Sequence, residues 1–164
     1  MEVLVAVVVL SVGLLGVAGL QTTGINANNG AFYKTQATVL AADMADRIRA
    51  NPLGQNSYTP NAAAFDTSTS AIPGDPGCLA TGCNPAEMAQ YDLYQWNQYL
   101  VGDAQSGALA MLPEGRGIIS RGPDNEFRVT VLWRQRYFND TGVATAPCIN
   151  GQENDVACVE MRFQ

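Results

Sequence analysis

EVLVAVVVLSVGLLGVAGL, running from Glu2 to Leu20, decides how the rest of the chain is read. The eighteen residues Val3 to Leu20 carry no charge. That is enough for a candidate membrane span, because crossing a bilayer core takes about 20 residues of helix. A single carboxylate, Glu2, sits at the N-terminal lip. A carboxylate at the edge of such a run is expensive in lipid and by default marks a functional site. The competing reading is a side chain that snorkels to the headgroups. Gly13, Gly16 and Gly19 lie inside the run. Small residues let neighbouring helices approach closely in lipid, set against the general tolerance of glycine in membrane helices. A cleaved secretory signal fits poorly. The run exceeds a usual h-region, lacks a basic n-region, and has no small-x-small site ending in a turn.

The helical signal continues past Leu20. After a softer stretch, Gln21 to Gly30, apolar residues recur every three or four positions at Tyr33, Ala37, Leu40, Met44 and Ile48, an amphipathic stripe. Arg47 and Arg49 fall in its last turn, where cations favour the helix dipole. Asn51-Pro52 ends it, since the residue before proline is pushed out of the helical region. A continuous helix of this extent is about 70 Å long at 1.5 Å per residue. Only its first half fits a bilayer, and the second needs a soluble surface to cover its stripe. The expected division is therefore residues 1–26 as the apolar half and 27–51 as the amphipathic half of one long helix. Residues 52–84, rich in Pro, Gly, Ser, Thr and Asn, read as an irregular loop. Residues 85–164 read as a helix followed by a sheet, with 27–164 forming one globular domain.

Within that head, Asn84-Pro85-Ala86-Glu87 has the spacing of a capping box with proline at the first helical position. Ala89, Leu93, Trp96 and Leu100 follow at helical intervals, predicting a second helix from Pro85 to about Gly102 with Trp96 in the core. Tyr91 and Tyr94 are candidate partner-facing aromatics. Gly117 to Arg121 is a short apolar run, and Gly122-Pro123-Asp124-Asn125 a turn. Glu126 to Arg136 and Val156 to Phe163 alternate as strands do. In the first, Phe127, Val129, Val131 and Trp133 share one face. Three or four antiparallel strands with one apolar face, plus a long helix with one apolar face, give an α+β architecture in which helix packs on sheet.

Composition narrows the function. The chain has 164 residues and a net charge of −6. Charges cancel up to Pro52, so the imbalance lies in the head, with twelve acids against six arginines from Leu53 onward. An acidic head without a basic cluster argues against nucleic acid. With no histidine, a histidine-based triad, general base or metal ligand is excluded. No nucleophile is accompanied by a plausible base and no glycine-rich phosphate loop follows a strand, so no catalytic residue, cofactor or metal site is assigned. Cys78, Cys83, Cys148 and Cys158, an even number in a small domain, suit disulfides in an oxidising compartment. They allow three pairings; the expectation is two local closures, Cys78–Cys83 and Cys148–Cys158. The four-cysteine zinc alternative lacks the usual spacing. Asp140, Glu153 and Asp155 offer calcium a candidate site without an EF-hand pattern, against the reading of a solvated acidic loop.

Several segments together resemble the type IV pilins, and among them the minor pilins of the type IV pilus modification protein PilV family. Glu2 to Gly16 is similar to the N-terminus of that class, and Ala45-Asp46-Arg47-Ile48-Arg49-Ala50-Asn51-Pro52 to the end of its long helix. Ala89 to Trp96 is similar to its second helix, and Leu112 to Gly117 with Val129 to Trp133 to its first sheet region. The family begins as a prepilin with a short basic leader that this sequence lacks, so the natural product is expected to start upstream of Met1. The resemblance implies a type IV pilin-like fold and a role in assembly rather than catalysis. It implies a single-pass inner-membrane protein with a periplasmic head, cut and methylated by prepilin peptidase as a full-length precursor. The subunit is then packed by its N-terminal helix against other minor pilins and the major pilin in a surface fibre. In that fibre Glu2 would set register opposite a neighbour's terminal amine. The implied function is a minor pilin of a priming or tip complex that promotes pilus assembly, with effects on adhesion and twitching motility. The alternatives are a pseudopilin of a type II secretion system and a signal-anchored periplasmic binding domain.

Overall fold

The computed structural model describes residues 2–60, 63–102, 107, 109–135 and 156–164. Helix α1 runs Glu2–Ala50, followed by a 3-10 turn at Pro52–Gly54 and the short helix α2, Gln55–Tyr58. Strand β1 is Phe65–Asp66, α3 is Cys78–Thr81, and α4 is Pro85–Val101. Strands β2 (Arg116–Arg121), β3 (Phe127–Arg134) and β4 (Val156–Phe163) complete an antiparallel sheet of order β1-β2-β3-β4. The α+β class expected from the pattern is the one observed, a long helix with a small antiparallel sheet and short helices. The chain divides into two compact units, one ending at Phe32 and the other spanning Tyr33–Gln164.

In the second unit the amphipathic stripe of α1 is buried as its spacing predicts. Ala37, Leu40, Met44 and Ile48 are covered, together with Ala41 and Ala45, while Tyr33 packs at the margin. They meet Ala89, Leu93, Trp96 and Leu100 of α4 and one face of the sheet. In-register pairing puts Phe65, Ile119 and Val129 side by side across β1, β2 and β3, and Gly117, Val131 and Val159 across β2, β3 and β4. Gly117 is where α4 comes closest. A Cβ there would lie 2.4 Å from the Trp96 ring, so only glycine lets the indole lie against β2. The same indole donates its Nε1–H to the Leu40 carbonyl at 3.0 Å. One buried side chain thus ties α1, α4 and β2.

The second helix starts as its sequence dictates. The Asn84 side chain accepts from the backbone N–H of Ala86 and Glu87, and the Glu87 carboxylate accepts from the Asn84 N–H, a complete capping box worth about 1 kcal/mol. Three features differ from the sequence reading. The stretch expected to be irregular, 52–84, carries two short helices and β1, the latter held to β2 by the Asp66–Arg116 pair. The sheet's second face is not uniformly solvated: Thr130 and Leu132 are buried as well as Val129 and Val131. Alternation marks which face is more apolar, not whether the other is covered. Finally, Arg49 does more than face the helix dipole. Its guanidinium lies 4.4 Å from the Phe163 ring, Phe163 stacks on Phe127 at 5.6 Å, and Arg121 covers Phe127 at 4.3 Å.

A polar cluster around the buried Asp92 and Tyr58 fixes the end of α1. Arg47 bonds Asp43 within its own helix, and Asp92 and Gln95 on α4, at 2.9, 3.0 and 2.8 Å. The Tyr58 hydroxyl donates to the other Asp92 oxygen at 2.5 Å and accepts from the Asn51 amide, which also donates to the Pro85 carbonyl. Burial and the hydrogen bond to Asp92 push the Tyr58 phenol well above its ordinary range. Burial alone would lower the Arg47 pKa, but its bonds and charge interactions with Asp92 and Asp43 outweigh that and raise it. At β1, burial alone would raise Asp66, yet the Arg116 guanidinium and the Ser68 backbone and hydroxyl hold its carboxyl below the usual value.

Three outcomes follow. Gly117→Ala should cost about 1–3 kcal/mol through overpacking against Trp96, measured by denaturant unfolding of the full chain in detergent; an unchanged midpoint would show that the contact is slack. Asp92→Ala should cost about 3 kcal/mol, because Arg47 and Tyr58 lose their buried partner, and the same titration reads it. Asp66 has a folded pKa below its unfolded one, so its stabilisation is full above the unfolded value of 3.8 and fades as pH falls through the folded value. The stability gap between wild type and Asp66→Asn should therefore be constant near neutrality and shrink below about pH 4. A gap that stays flat down to pH 2 would mean the Arg116 pairing contributes nothing.

Candidate functional site

The candidate site is the exposed apolar part of α1 and its lone carboxylate. Every residue from Glu2 to Leu20 is solvent-exposed. The valines and leucines among them are 52–75% exposed, and among the described residues none of the helix's most apolar window is buried. Water-soluble surfaces rarely present a continuous apolar patch of this extent. The helix is long and apolar enough to cross a membrane by length and composition. Beyond its first turn its backbone N–H groups are satisfied within the helix, as hydrocarbon requires. Its hydroxyls are satisfied too. Ser11 donates to the Val7 carbonyl at 2.7 Å, Thr22 to Ala18 at 3.0 Å and Thr23 to Gly19 at 3.2 Å. Ser11, the one hydroxyl inside the uncharged run, therefore brings no unpaired group into an apolar medium.

Glu2 is exposed in the first turn of α1, where the helix N-terminus favours a negative charge. Nothing lies within 4 Å of a Cβ built at Gly13, Gly16 or Gly19. Steps of three residues turn the position by about 60° around a helix, so the three glycines form a slanting strip with backbone accessible along it. Such a strip suits close approach by another helix. The carboxylate and the glycines are separate features of one helix surface rather than a pocket. What this arrangement can do is associate, with lipid or with other apolar helices.

The cysteines lie elsewhere. Cys78 and Cys83 are joined by a disulfide, with Cα atoms 5.0 Å apart. Cys158 on β4 is also disulfide-bonded, and its expected partner, Cys148, lies outside the described residues. So do Asp140, Glu153 and Asp155, the candidate calcium ligands. Among the described residues no group of three or more His, Cys, Asp or Glu side chains could hold a metal ion. Tyr91 is half-buried and its hydroxyl accepts from Gln95, which places it at the rim of the Arg47 cluster. Tyr94 is also half-buried.

The Arg47–Asp92–Tyr58 cluster is what the sequence reading missed. It is a closed set in which the charges and hydroxyl satisfy one another, so it serves as a clamp and not as a reaction centre. One signal was present: Asp92 lies in the middle of the Ala89–Leu93–Trp96 stripe, where an acid implies a buried cation. Choosing Arg47 as that cation required knowing how α1 and α4 cross.

No curated protein and no solved structure matches the chain. Residues 19–94, from the end of the apolar run to the middle of α4, match the model of a family described as Tt1218-like, type IV pilin Tt1218. The matched stretch is similar to a type IV pilin over the amphipathic half of α1, the disulfide loop and the capped start of α4. Together with the fold, that likeness supports a type IV pilin.

Proposed function

We propose that this chain is a minor type IV pilin of the PilV kind, working in a priming or tip complex that starts pilus assembly and thereby affecting adhesion and twitching motility. One observation carries the reading: α1 is fully exposed and apolar from Val3 to Leu20, while its later turns are buried in the head. A helix of this kind has two solvents to satisfy. Its first part is covered by lipid while the subunit waits in the inner membrane as a single-pass protein with a periplasmic head. In the fibre it is covered by the equivalent helices of other minor pilins and the major pilin. The type IV pilin likeness over residues 19–94 supports this reading.

Glu2 gives the packing its register. In a bundle of apolar helices its carboxylate loses water, and a neighbour's terminal amine, left free by prepilin peptidase, compensates the charge. Breaking such a buried pair costs about 3–5 kcal/mol, enough to reject a subunit seated one step out of place. Gly13, Gly16 and Gly19 permit close helix approach along the same surface. The role is structural, with the chemistry confined to processing of the precursor.

The test is complementation of a deletion strain from the native locus, comparing wild type with Glu2→Ala and measuring both membrane levels of the subunit and pili released by shearing. The expected result is normal membrane levels with few or no surface pili. Full piliation by Glu2→Ala would remove the carboxylate from assembly. Intact pili in the deletion strain together with lost protein secretion would replace the pilus reading with a type II pseudopilin.

A further inference from the structure

We propose that β4 is a self-pairing edge: a second copy of this chain adds its own β4 antiparallel to it, in one register, and joins two heads through a continuous sheet. The inference stands on the sheet alone and does not depend on the pilin reading.

The sheet runs β1-β2-β3-β4, so β1 and β4 are its edges. The β1 edge is two residues long. The β4 edge is eight, and every residue from Val156 to Phe163 has one partner on β3, without a bulge. It contains neither proline nor glycine. Short length, bulges and proline are common means of keeping an edge from pairing with another chain, and β4 uses none of them. The direction of its backbone bonds follows from β3. The Gly122 N–H donates to the Glu126 carbonyl at 2.7 Å, and the Arg134 N–H to the Pro113 carbonyl at 2.9 Å. Bonding sides alternate along an antiparallel strand. Even-numbered residues of β3 therefore bond toward β2 and odd-numbered ones toward β4. By register, Ala157, Val159, Met161 and Phe163 bond back to β3. The backbone groups of Glu160 and Arg162 face the other way, and among the described residues β4 has β3 as its one neighbouring strand.

Charges on an edge usually repel a copy of themselves. On β4 they do the reverse. Glu160 and Arg162 lie two residues apart on one face, carry opposite signs and pair with each other. Arg162 also stands directly opposite Arg128 in the β3 ladder, an unfavourable like-charge pair, so a further carboxylate beside it is favourable. In a two-fold antiparallel pair centred on Met161, Glu160 of one copy stands opposite the partner's Arg162, and symmetry repeats the contact. Both are outward-bonding residues, so the backbone bonds form at the same positions as the charge pairs. Moving the centre one residue either way, to Glu160 or to Arg162, sets a charge against its own kind. The register centred on Met161 also lays Val159 beside the partner's Phe163, which keeps the two apolar faces on one side. Charge and bonding direction thus select one seating, and the occupant they fit is a second copy of this strand.

The test is self-association of the full chain in detergent, read by sedimentation equilibrium, with micelles in large excess so that α1 does not bring two chains together. Wild type should dimerise as concentration rises. Glu160→Arg and Arg162→Glu should each weaken the dimer about tenfold or more, because both symmetric pairs become repulsive. A 1:1 mixture of the two variants should associate as tightly as wild type, since each then meets the opposite charge. Rescue in the mixture also excludes misfolding as the cause of the single defects. Residue-level amide exchange of wild type gives a second reading, which stands alone should a variant lose its folded near-ultraviolet signal. On dimerisation the Glu160 and Arg162 amides should slow, while those of Val159 and Met161, already bonded to β3, stay unchanged. A chain that is monomeric at every concentration overturns the proposal. So does a dimer indifferent to both substitutions, which would place the contact elsewhere. Protected Glu160 and Arg162 amides in a monomer sink it too, because another part of the chain then covers the edge.

Discussion

The contact between the Trp96 indole and the backbone of Gly117 sets the spacing on which the head is built. An indole whose ring edge abuts a strand requires that the strand offer no Cβ, and its N–H requires an acceptor, which the Leu40 carbonyl supplies. Helix α4 is therefore held at one distance from β2 and at one height along α1. Ala37, Ala41 and Ala45 lie in the same buried stripe, and their small side chains let α1 sit close to its cover. Around this apolar contact the Arg47–Asp92–Tyr58 cluster fixes rotation. Apolar packing alone tolerates sliding, whereas a buried carboxylate with two donors is satisfied in one arrangement.

The sequence was legible where one element alone decides the outcome. The period of Ala37, Leu40, Met44 and Ile48, the Asn84–Glu87 spacing and the alternation of Phe127 to Trp133 each report a local preference, and each element appears where its pattern placed it. What stayed hidden depends on two elements at once. Arg47 and Arg49 are both basic residues in a last helical turn, yet one is enclosed by α4 carboxylate and amide groups and the other lies over an aromatic ring of β4. Nothing in the residues themselves separates those fates. Strand β1 was invisible for a related reason. Two residues carry no periodicity, and Phe65–Asp66 is a strand only because β2 offers an edge and Arg116 a charge. The exposed part of α1 was the plainest signal, since composition alone marks a surface that water does not cover.

That surface and the head obey different rules on the same helix. In the head, α1 is held by complementary shape and a few buried bonds, which makes its stability sensitive to single atoms. In the part up to Leu20, valines and leucines are exposed and the glycines have open space at their Cβ positions. Such a surface is suited to lipid or to another apolar helix, and the one charge at its start, Glu2, is what departs from that uniformity.

The stack of Arg49, Phe163, Phe127 and Arg121 joins positions 49 and 163, which are 163 − 49 = 114 residues apart. During synthesis α1 emerges long before β4 exists, so the contact of Arg49 with Phe163 waits for the last strand. Contacts of such sequence separation form late and slowly. The head is thus completed by its last strand.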